Sequence, residues 1–220
     1  GPERLARLDL ALRAGATDLA AQGAVVLAAI LGDLGEVCLF IRGSATPSDE
    51  IWHLDLHANT WRLSAETPIE ALTAQARLCG QPCPALVHLG GVAQGGELFV
   101  DLEAVGVLSV VSPHSTAILR HAAASLAVSP FLDTVRMFTV GIGDVALEND
   151  GVEQVDSLDA AVDAAAMTLG STIAASRATS TFSLRVTGMG GEAWEPAIVI
   201  AAGEHDAGEV AHLAAVCSPG

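Results

Sequence analysis

Hydroxyl and imidazole side chains cluster in one short stretch of the chain, Ser112-Pro113-His114-Ser115-Thr116. The stretch lies between an almost wholly apolar run and an Ala-rich run, an order that predicts a strand, a turn and a helix. The first N–H groups of a helix have no partner within it, and with the helix dipole they favour a bound anion. Ser112, His114, Ser115 and Thr116 are therefore candidate ligand-binding residues.

Three arginines extend this candidate site. Arg120, Arg136 and Arg177 are included because a guanidinium group pairs with phosphate oxygens through two parallel hydrogen bonds. The ligand predicted for the whole set is a nucleotide or a cyclic dinucleotide. We predict no catalytic residue, no cofactor and no metal ion for this chain.

A second interpretation of the same turn is purely structural. Ser112 would cap the following helix and Pro113 would occupy its first turn, as is common at helix starts. A P-loop surrounds phosphates with the N–H groups of a glycine-rich turn and adds a lysine. Here no glycine lies between Val111 and Thr116, and the chain contains no lysine. ATP hydrolysis is therefore a poorer interpretation than either alternative.

Cysteine and histidine offer weaker patterns. Cys79-x3-Cys83 with His88 nearby lacks the second pair of ligands that a structural zinc site needs, so these cysteines are interpreted as loop residues. The pairs His114/His121 and His205/His212 are each seven residues apart, which places each pair on one helical face. No Gly-x-Ser-x-Gly turn is present, so a serine hydrolase is disfavoured.

Composition narrows the partners. The formal net charge is -16, from 10 basic and 26 acidic residues, which disfavours direct binding of nucleic acid. Four cysteines are too few for a disulfide framework in a chain of 220 residues, which favours a reducing, cytoplasmic compartment. No stretch is long and apolar enough to span a membrane, so any membrane contact is expected through segments outside this chain.

The pattern of apolar residues predicts three parts. Residues 1–66 are predicted to form a helical hairpin, its second helix at 18–33, followed by short strands that include a hairpin at 51–63 with Asn59 near its turn. Residues 67–84 form a helix and a linker, and residues 85–220 form an α/β domain like that of P-loop proteins but without the P-loop.

The predicted fold class is α/β. In the second domain the pattern predicts a hairpin around Gln94-Gly95, buried strands that include 106–111 and 197–202, and a last helix at 207–216. Buried strands that alternate with helices favour a mainly parallel sheet with helices on both faces. A small N-terminal α+β appendage completes the predicted fold.

Residues 86–141 resemble the ATPase cores of FtsK-type DNA translocases and type VII secretion motors. The resemblance rests on a strand pair ending in Asp101-Leu102 and on Ile118-Leu119-Arg120 in the following helix. It implies that Thr116 takes the Mg²⁺-binding position and Ser115 takes the lysine position.

The same resemblance extends to residues 195–206. In those motors this strand ends in two acids, but here Ala201 and Ala202 stand in their places, with Glu204 and Asp206 slightly beyond. Both halves of the catalytic apparatus are therefore missing, which makes the domain resemble a degenerate motor core.

A closer resemblance covers most of residues 5–215. The runs PALVHLG, GELFVDLEAVGVLSV and SPFLDTVRMFTVG, with Trp194-Glu195-Pro196, are similar to a central cytosolic domain of actinobacterial membrane-associated proteins. These proteins often combine a LysM segment with a bacterial transcriptional activator domain. The resemblance implies a domain used for sensing or scaffolding.

The function predicted from all of this is a non-catalytic regulatory module that senses a small ligand within a larger bacterial membrane-associated or transcription-regulatory protein. Its partners would be a nucleotide or cyclic dinucleotide, other domains of the same parent protein, and a second copy in a homo-oligomer. One alternative is a purely structural interaction or oligomerisation domain. Another is an NTPase that is completed by a residue supplied in trans.

Overall fold

The computed structural model describes residues 2–77, 79–129, 131, 136–143, 151–175, 186 and 196–217. These residues contain both helices and strands, and the strands form two sheets. The helices with defined bounds are α1 (Pro2–Ala21), α2 (Ile69–Ala76), α3 (Leu102–Val105), α4 (Ser115–Ala127), α5 (Leu158–Ala175) and α6 (Ala207–Val216). The strands are β1 (Val25–Leu31), β2 (Val37–Arg42), β3 (Trp52–Asp55), β4 (Thr60–Leu63), β5 (Leu86–Gly91), β6 (Glu97–Asp101), β7 (Arg136–Val140), β8 (Val152–Gln154) and β9 (Ala197–Ala201).

The larger sheet corrects the predicted fold class. It has six strands in the order β3-β4-β2-β1-β6-β5, and all neighbouring strands in it are antiparallel. Only the smaller sheet, of order β8-β7-β9, is parallel. The prediction of a mainly parallel sheet with a P-loop-like architecture is therefore wrong, although the protein is α/β.

Short connections explain why the larger sheet is antiparallel. The loops between β1 and β2, between β3 and β4 and between β5 and β6 each have five residues or fewer. A parallel neighbour needs a crossover of a dozen or more residues, so loops this short can join only antiparallel strands. β1 also pairs with β6, so one sheet contains residues from both sides of the predicted linker 67–84. The predicted division into three parts itself stays a prediction.

The second predicted helix, at 18–33, is wrong because α1 ends earlier and β1 begins at Val25. The N–H of Gly23 donates to the Ala20 carbonyl at 3.1 Å, and the N–H of Ala24 donates to the Leu19 carbonyl at 2.9 Å. This pair of bonds is the Schellman ending of a helix, and Gly23 has the positive φ of 70° that the ending requires.

The main core lies between α1 and one face of the antiparallel sheet. Leu8, Leu12 and Leu19 of α1 and Trp61 of β4 are all fully buried there. The guanidinium of Arg7 donates to the carbonyls of the β1–β2 turn and of the loop before α2, which fixes α1 across both segments. Burial of large apolar side chains therefore stabilises this half of the molecule, and the hydrogen bonds of Arg7 attach α1 to the neighbouring loops.

The parallel sheet forms a second, smaller layer. On one face, Met137 of β7 and Ile198 of β9 pack with α4 and with the antiparallel sheet. On the other face, Phe138 and Val140 pack against Ala161 of α5. α6 lies on the outside of α5 and has no buried residue. The parallel sheet is therefore well packed on both faces of β7, whereas α6, which lies on α5, is only partly buried.

The predicted strand at 106–111 is also wrong. The chain leaves α3 at Gly106, whose φ is 78°, and residues 107–111 have no regular secondary structure before α4 begins at Ser115. Several other elements are confirmed, among them the β3–β4 hairpin, the β5–β6 hairpin, β9 and α6. The position where a P-loop strand would lie is thus occupied by an irregular segment.

Candidate functional site

The segment of residues 107–111, which we call the exposed segment, carries apolar side chains into solvent. Val107 and Leu108 are each 40% exposed, and Val111 is 94% exposed. Valine and leucine are usually buried, and an exposed run of them marks an interaction surface more often than an isolated exposed residue does.

The backbone of the exposed segment is equally open. None of the N–H or C=O groups of residues 107–111 is hydrogen-bonded to another described residue. The segment consists of Val107-Leu108-Ser109-Val110-Val111, in which three of the five residues are β-branched valines. Such a composition favours an extended strand, and a strand with unpaired N–H and C=O groups is a template for another strand.

The predicted anion-binding turn follows directly. The Ser112 hydroxyl accepts a hydrogen bond from the N–H of His114 at 3.1 Å, and the Ser115 N–H donates to the Ser112 carbonyl at 3.1 Å. His114, not Ser112, is the N-terminal capping residue of α4, and its side chain makes no capping bond. The prediction that Ser112 caps this helix is therefore wrong, because the serine is engaged in the turn before it.

The structure brings together only some of the predicted site residues. Ser112, His114, Ser115 and Thr116 are contiguous at the start of α4, with Arg120 one turn further along the helix. The Arg120 guanidinium lies 3.9 Å from where a Cβ on Gly143 would stand, so it is close to the carboxyl end of β7.

The other two predicted arginines do not join this group. Arg136 is the first residue of β7, so it lies at the amino end of the strand, opposite the end that Arg120 approaches. Arg177 lies outside the described residues. Whether the grouped residues bind a ligand stays a prediction.

The acids after β9 have a structural role. The Asp206 carboxylate accepts hydrogen bonds from the N–H groups of Gly208 at 2.7 Å and Glu209 at 2.9 Å, and Glu209 bonds back to the Asp206 N–H at 2.9 Å. This is a complete capping box at the start of α6. Asp206 is therefore committed to the helix cap.

A histidine pair was not predicted. Nδ1 of His88 on β5 lies 3.2 Å from Nε2 of His121 on α4, and Nε2 of His88 is buried without a hydrogen-bond partner among the described residues. Burial lowers the pKa of His88; Glu97 acts in the opposite direction and His121 adds to the lowering. The two histidines are 33 residues apart, so no sequence spacing could have revealed their contact.

The remaining clusters lie elsewhere. Cys79 and Cys83 are buried free thiols; burial raises the pKa of Cys79 to about 11, so neither is a reactive thiolate. In the part of the chain that the structure describes, no group of three or more His, Cys, Asp or Glu could hold a metal ion. An open depression of about 460 Å³ lies at the β3–β4 hairpin, lined by His53 to His57 and Arg62, at the sheet edge opposite β5 and α4.

Charge distinguishes the surroundings of the exposed segment. Residues 104–132 contain no Asp or Glu, although the chain has 26 of them. The charged or titratable residues in this range are Arg120, His114 and His121. A stretch of sequence without carboxylates thus interrupts an otherwise acidic chain.

Comparisons with protein-family models, with curated proteins and with solved structures gave no significant match to this chain. Within the described residues, no helix combines the length and the apolar character that a membrane span needs. The functional conclusion therefore rests on the geometry of this chain.

Proposed function

We propose that this chain is a non-catalytic interaction module that binds another polypeptide along the exposed segment, residues 107–111. The partner adds a strand to the segment, so that backbone hydrogen bonds supply affinity and the alternating side chains supply selectivity. Of the functions predicted from sequence, this is the protein-interaction alternative.

The single observation that carries this proposal is the combination of exposure and open backbone in one strand-forming segment. Val111 is 94% exposed, and no backbone group of residues 107–111 is hydrogen-bonded within the described structure. Exposed strand-forming segments invite pairing with other chains, and natural proteins usually protect them with charges or prolines. The first such residue here is Pro113, beyond the end of the segment.

A peptide selection tests the proposal. A library of random peptides displayed on phage is selected on the 220-residue chain, and selected peptides are measured against Val111→Asp and the matched control Val128→Asp. Val128 is 72% exposed but lies at the end of α4, outside the segment. We expect peptides with alternating apolar residues whose Kd rises at least about tenfold for Val111→Asp and stays unchanged for Val128→Asp.

Two outcomes would overturn the interaction function at this segment. One is a library that yields no binding peptide. The other is a set of peptides whose affinity falls equally in both variants, because then the binding surface lies elsewhere.

Small-ligand sensing is a second candidate. It is supported by the grouping of Ser112, His114, Ser115 and Thr116 with Arg120 in a range without carboxylates. A ligand that binds only the folded protein raises the midpoint of thermal unfolding. A panel of nucleotides and cyclic dinucleotides should therefore raise the midpoint for the native chain and not for Arg120→Ala, and a panel without any shift would remove this candidate.

An NTPase completed in trans has the least geometric support. The interpretation required a buried strand at 106–111 leading into the turn, and that stretch is irregular. Mg²⁺-dependent turnover that is lost in Thr116→Ala would support it. The wider context, a cytoplasmic module of a membrane-associated or regulatory protein with its other domains as partners, is proposed from the resemblance described above.

A further inference from the structure

We propose that a second copy of this chain occupies the exposed segment, so that the segments of two copies pair as antiparallel strands about a two-fold axis at Ser109. The inference rests on the proposed function and names its partner. It joins two properties of residues 107–111, their open backbone and their place in a range without acids.

The segment is complementary to itself. When two copies align antiparallel with Ser109 opposite Ser109, Val107 faces Val111 of the other copy and Leu108 faces Val110. Every pair other than the central one is then apolar. Facing β-branched and aliphatic side chains stabilise antiparallel strand pairs, and an interface with a two-fold axis requires one surface that matches itself.

Side chains on both faces of the new strand pair contribute. Val107, Ser109 and Val111 point to one face and Leu108 and Val110 to the other, because side chains alternate along a strand. The exposed apolar area of Val111, the largest in the segment, is then covered by Val107 of the other copy. Pairing removes from water the apolar groups that the isolated chain leaves in it.

Charge favours a second copy at this position over most of the remaining surface. Two chains of net charge -16 repel each other wherever their carboxylates approach. Residues 104–132 bring no carboxylate of their own to the contact, so the repulsion that opposes the apolar pairing comes from carboxylates in other parts of the chain. We therefore expect a dimer that is weak at low salt and becomes tighter as salt screens the repulsion.

Sedimentation velocity over a range of protein concentrations tests the pairing. We expect the native chain to dimerise reversibly, with a dissociation constant at least about tenfold larger in Val111→Asp and unchanged in Val128→Asp. Raising the salt concentration from about 0.1 M to about 1 M shortens the screening length from about 10 Å to about 3 Å, and the native dimer should become tighter over this range.

Proline substitutions test the backbone pairing itself. In an antiparallel pair, alternate residues direct their N–H groups to the partner, so either Ser109→Pro or Val110→Pro must remove an inward N–H. The matching alanine variants, Ser109→Ala and Val110→Ala, keep it. We expect at least one proline variant to dissociate while its alanine counterpart dimerises, with each monomer's thermal midpoint unchanged because the segment makes no backbone bond in the described structure.

The sedimentation and peptide-binding results distinguish failure of the dimer from failure of the proposed interaction function. A monomer at all concentrations and both salt levels overturns the second copy as partner, as does a dimer that survives both proline variants or Val111→Asp. If the native chain is monomeric but selected peptides still bind the segment, the interaction function stands and only its partner is wrong. If neither a dimer nor peptide binding is seen, both proposals fail.

Discussion

The two sheets of this protein are packed very differently. On the antiparallel sheet, α1 buries Leu8, Leu12 and Leu19 completely, and hydrogen bonds from Arg7 attach the helix to two loops. Beside the parallel sheet, α6 contacts α5 and has no buried residue. Both helices are rich in alanine, but α1 carries five leucines whereas α6 carries one, so α1 has more large side chains to bury.

The difference separates the part of the molecule whose packing stabilises the fold from the part that we propose binds a partner. The face of α1 that packs on the antiparallel sheet carries Leu8, Leu12 and Leu19, and burial of these leucines stabilises the fold. The exposed segment and α6 leave apolar atoms in solvent, and regions with few buried contacts open and rearrange more easily. The proposed interaction surface accordingly lies outside the main core.

The largest predicted effect comes from a matched pair of substitutions in the two helices. Leu12→Ala removes a fully buried side chain of α1, and the lost apolar contacts and the cavity should cost about 2–5 kcal/mol of unfolding free energy. Leu213→Ala in α6, which is only half-buried, should cost about 1 kcal/mol or less. Urea unfolding of both variants measures the difference, and equal losses would contradict the contrast between the two helices.

Two glycines give the next effect. Gly141→Ala adds a methyl group at φ 67° that would overlap the carbonyl oxygen of Ala202, a residue whose N–H donates to the Val140 carbonyl at the end of the β7–β9 ladder. We expect a loss of about 2–3 kcal/mol, because strained backbone adds to the overlap. The control Gly23→Ala has nearly the same φ of 70° with no atom within 4 Å, and should cost about 1 kcal/mol. Thermal unfolding compares the two, and a Gly23→Ala variant as unstable as Gly141→Ala would show that the overlap does not matter.

A smaller and local effect is expected at the start of α6. Asp206→Ala removes two capping hydrogen bonds and should cost about 1 kcal/mol. Because α6 is weakly packed, we expect faster hydrogen exchange in residues 207–216 with little change in the rest of the chain. Glu204→Ala, two residues earlier and exposed, is the control and should leave the exchange unaltered. Uniformly faster exchange would show that α6 unfolds only with the whole protein.

The smallest predicted effect is a pH dependence at the contact between β5 and α4. Burial lowers the pKa of His88 below its ordinary value of 6.5, so the folded protein binds this proton less readily than the unfolded chain does. The contribution of neutral His88 to the free energy of unfolding is therefore complete above pH 6.5, and it is lost as the pH falls from 6.5 through the lower pKa of the folded protein.

The titratable groups that act on His88 are Glu97 and His121, and they also contribute to the pH dependence of stability. The effect of His88 is therefore measured as the difference in unfolding midpoint between the native chain and His88→Gln. Unfolding midpoints at several pH values should fall more steeply below pH 6.5 in the native chain than in the variant. Parallel pH profiles would show that His88 does not titrate on unfolding.

Local signals predicted many elements correctly. The hairpin of β3 and β4 was predicted with Asn59 near its turn, and Asn59 has the φ of 50° that such a turn accommodates. α6 was predicted at 207–216, the bounds that the structure shows, because its apolar run is a local signal. The prediction of a second helix at 18–33 was wrong because α1 ends just before Gly23. The apolar run after Gly23 was interpreted as helix, although the glycine itself is a local signal for a helix ending.

The prediction of a buried strand at 106–111 was wrong for a different reason. Its valines satisfy every local requirement of a buried strand, but burial also needs a neighbouring strand to which it can pair. That neighbour is missing among the described residues, so the same composition produces an open segment. The candidate site shows the same division, because Ser112 to Thr116 are adjacent in sequence whereas His88 and His121 meet only through packing of α4 on β5.

The amino-acid sequence by itself determined the acidic charge, the absence of lysine, the turns and the helix endings, because each depends on residues that are close together along the chain. Only the tertiary structure decided that the main sheet is antiparallel, that α1 has buried side chains while α6 has none, and that residues 107–111 pair with no other described strand. Those outcomes depend on contacts between distant residues, whose free energies are realised only when the whole chain has folded.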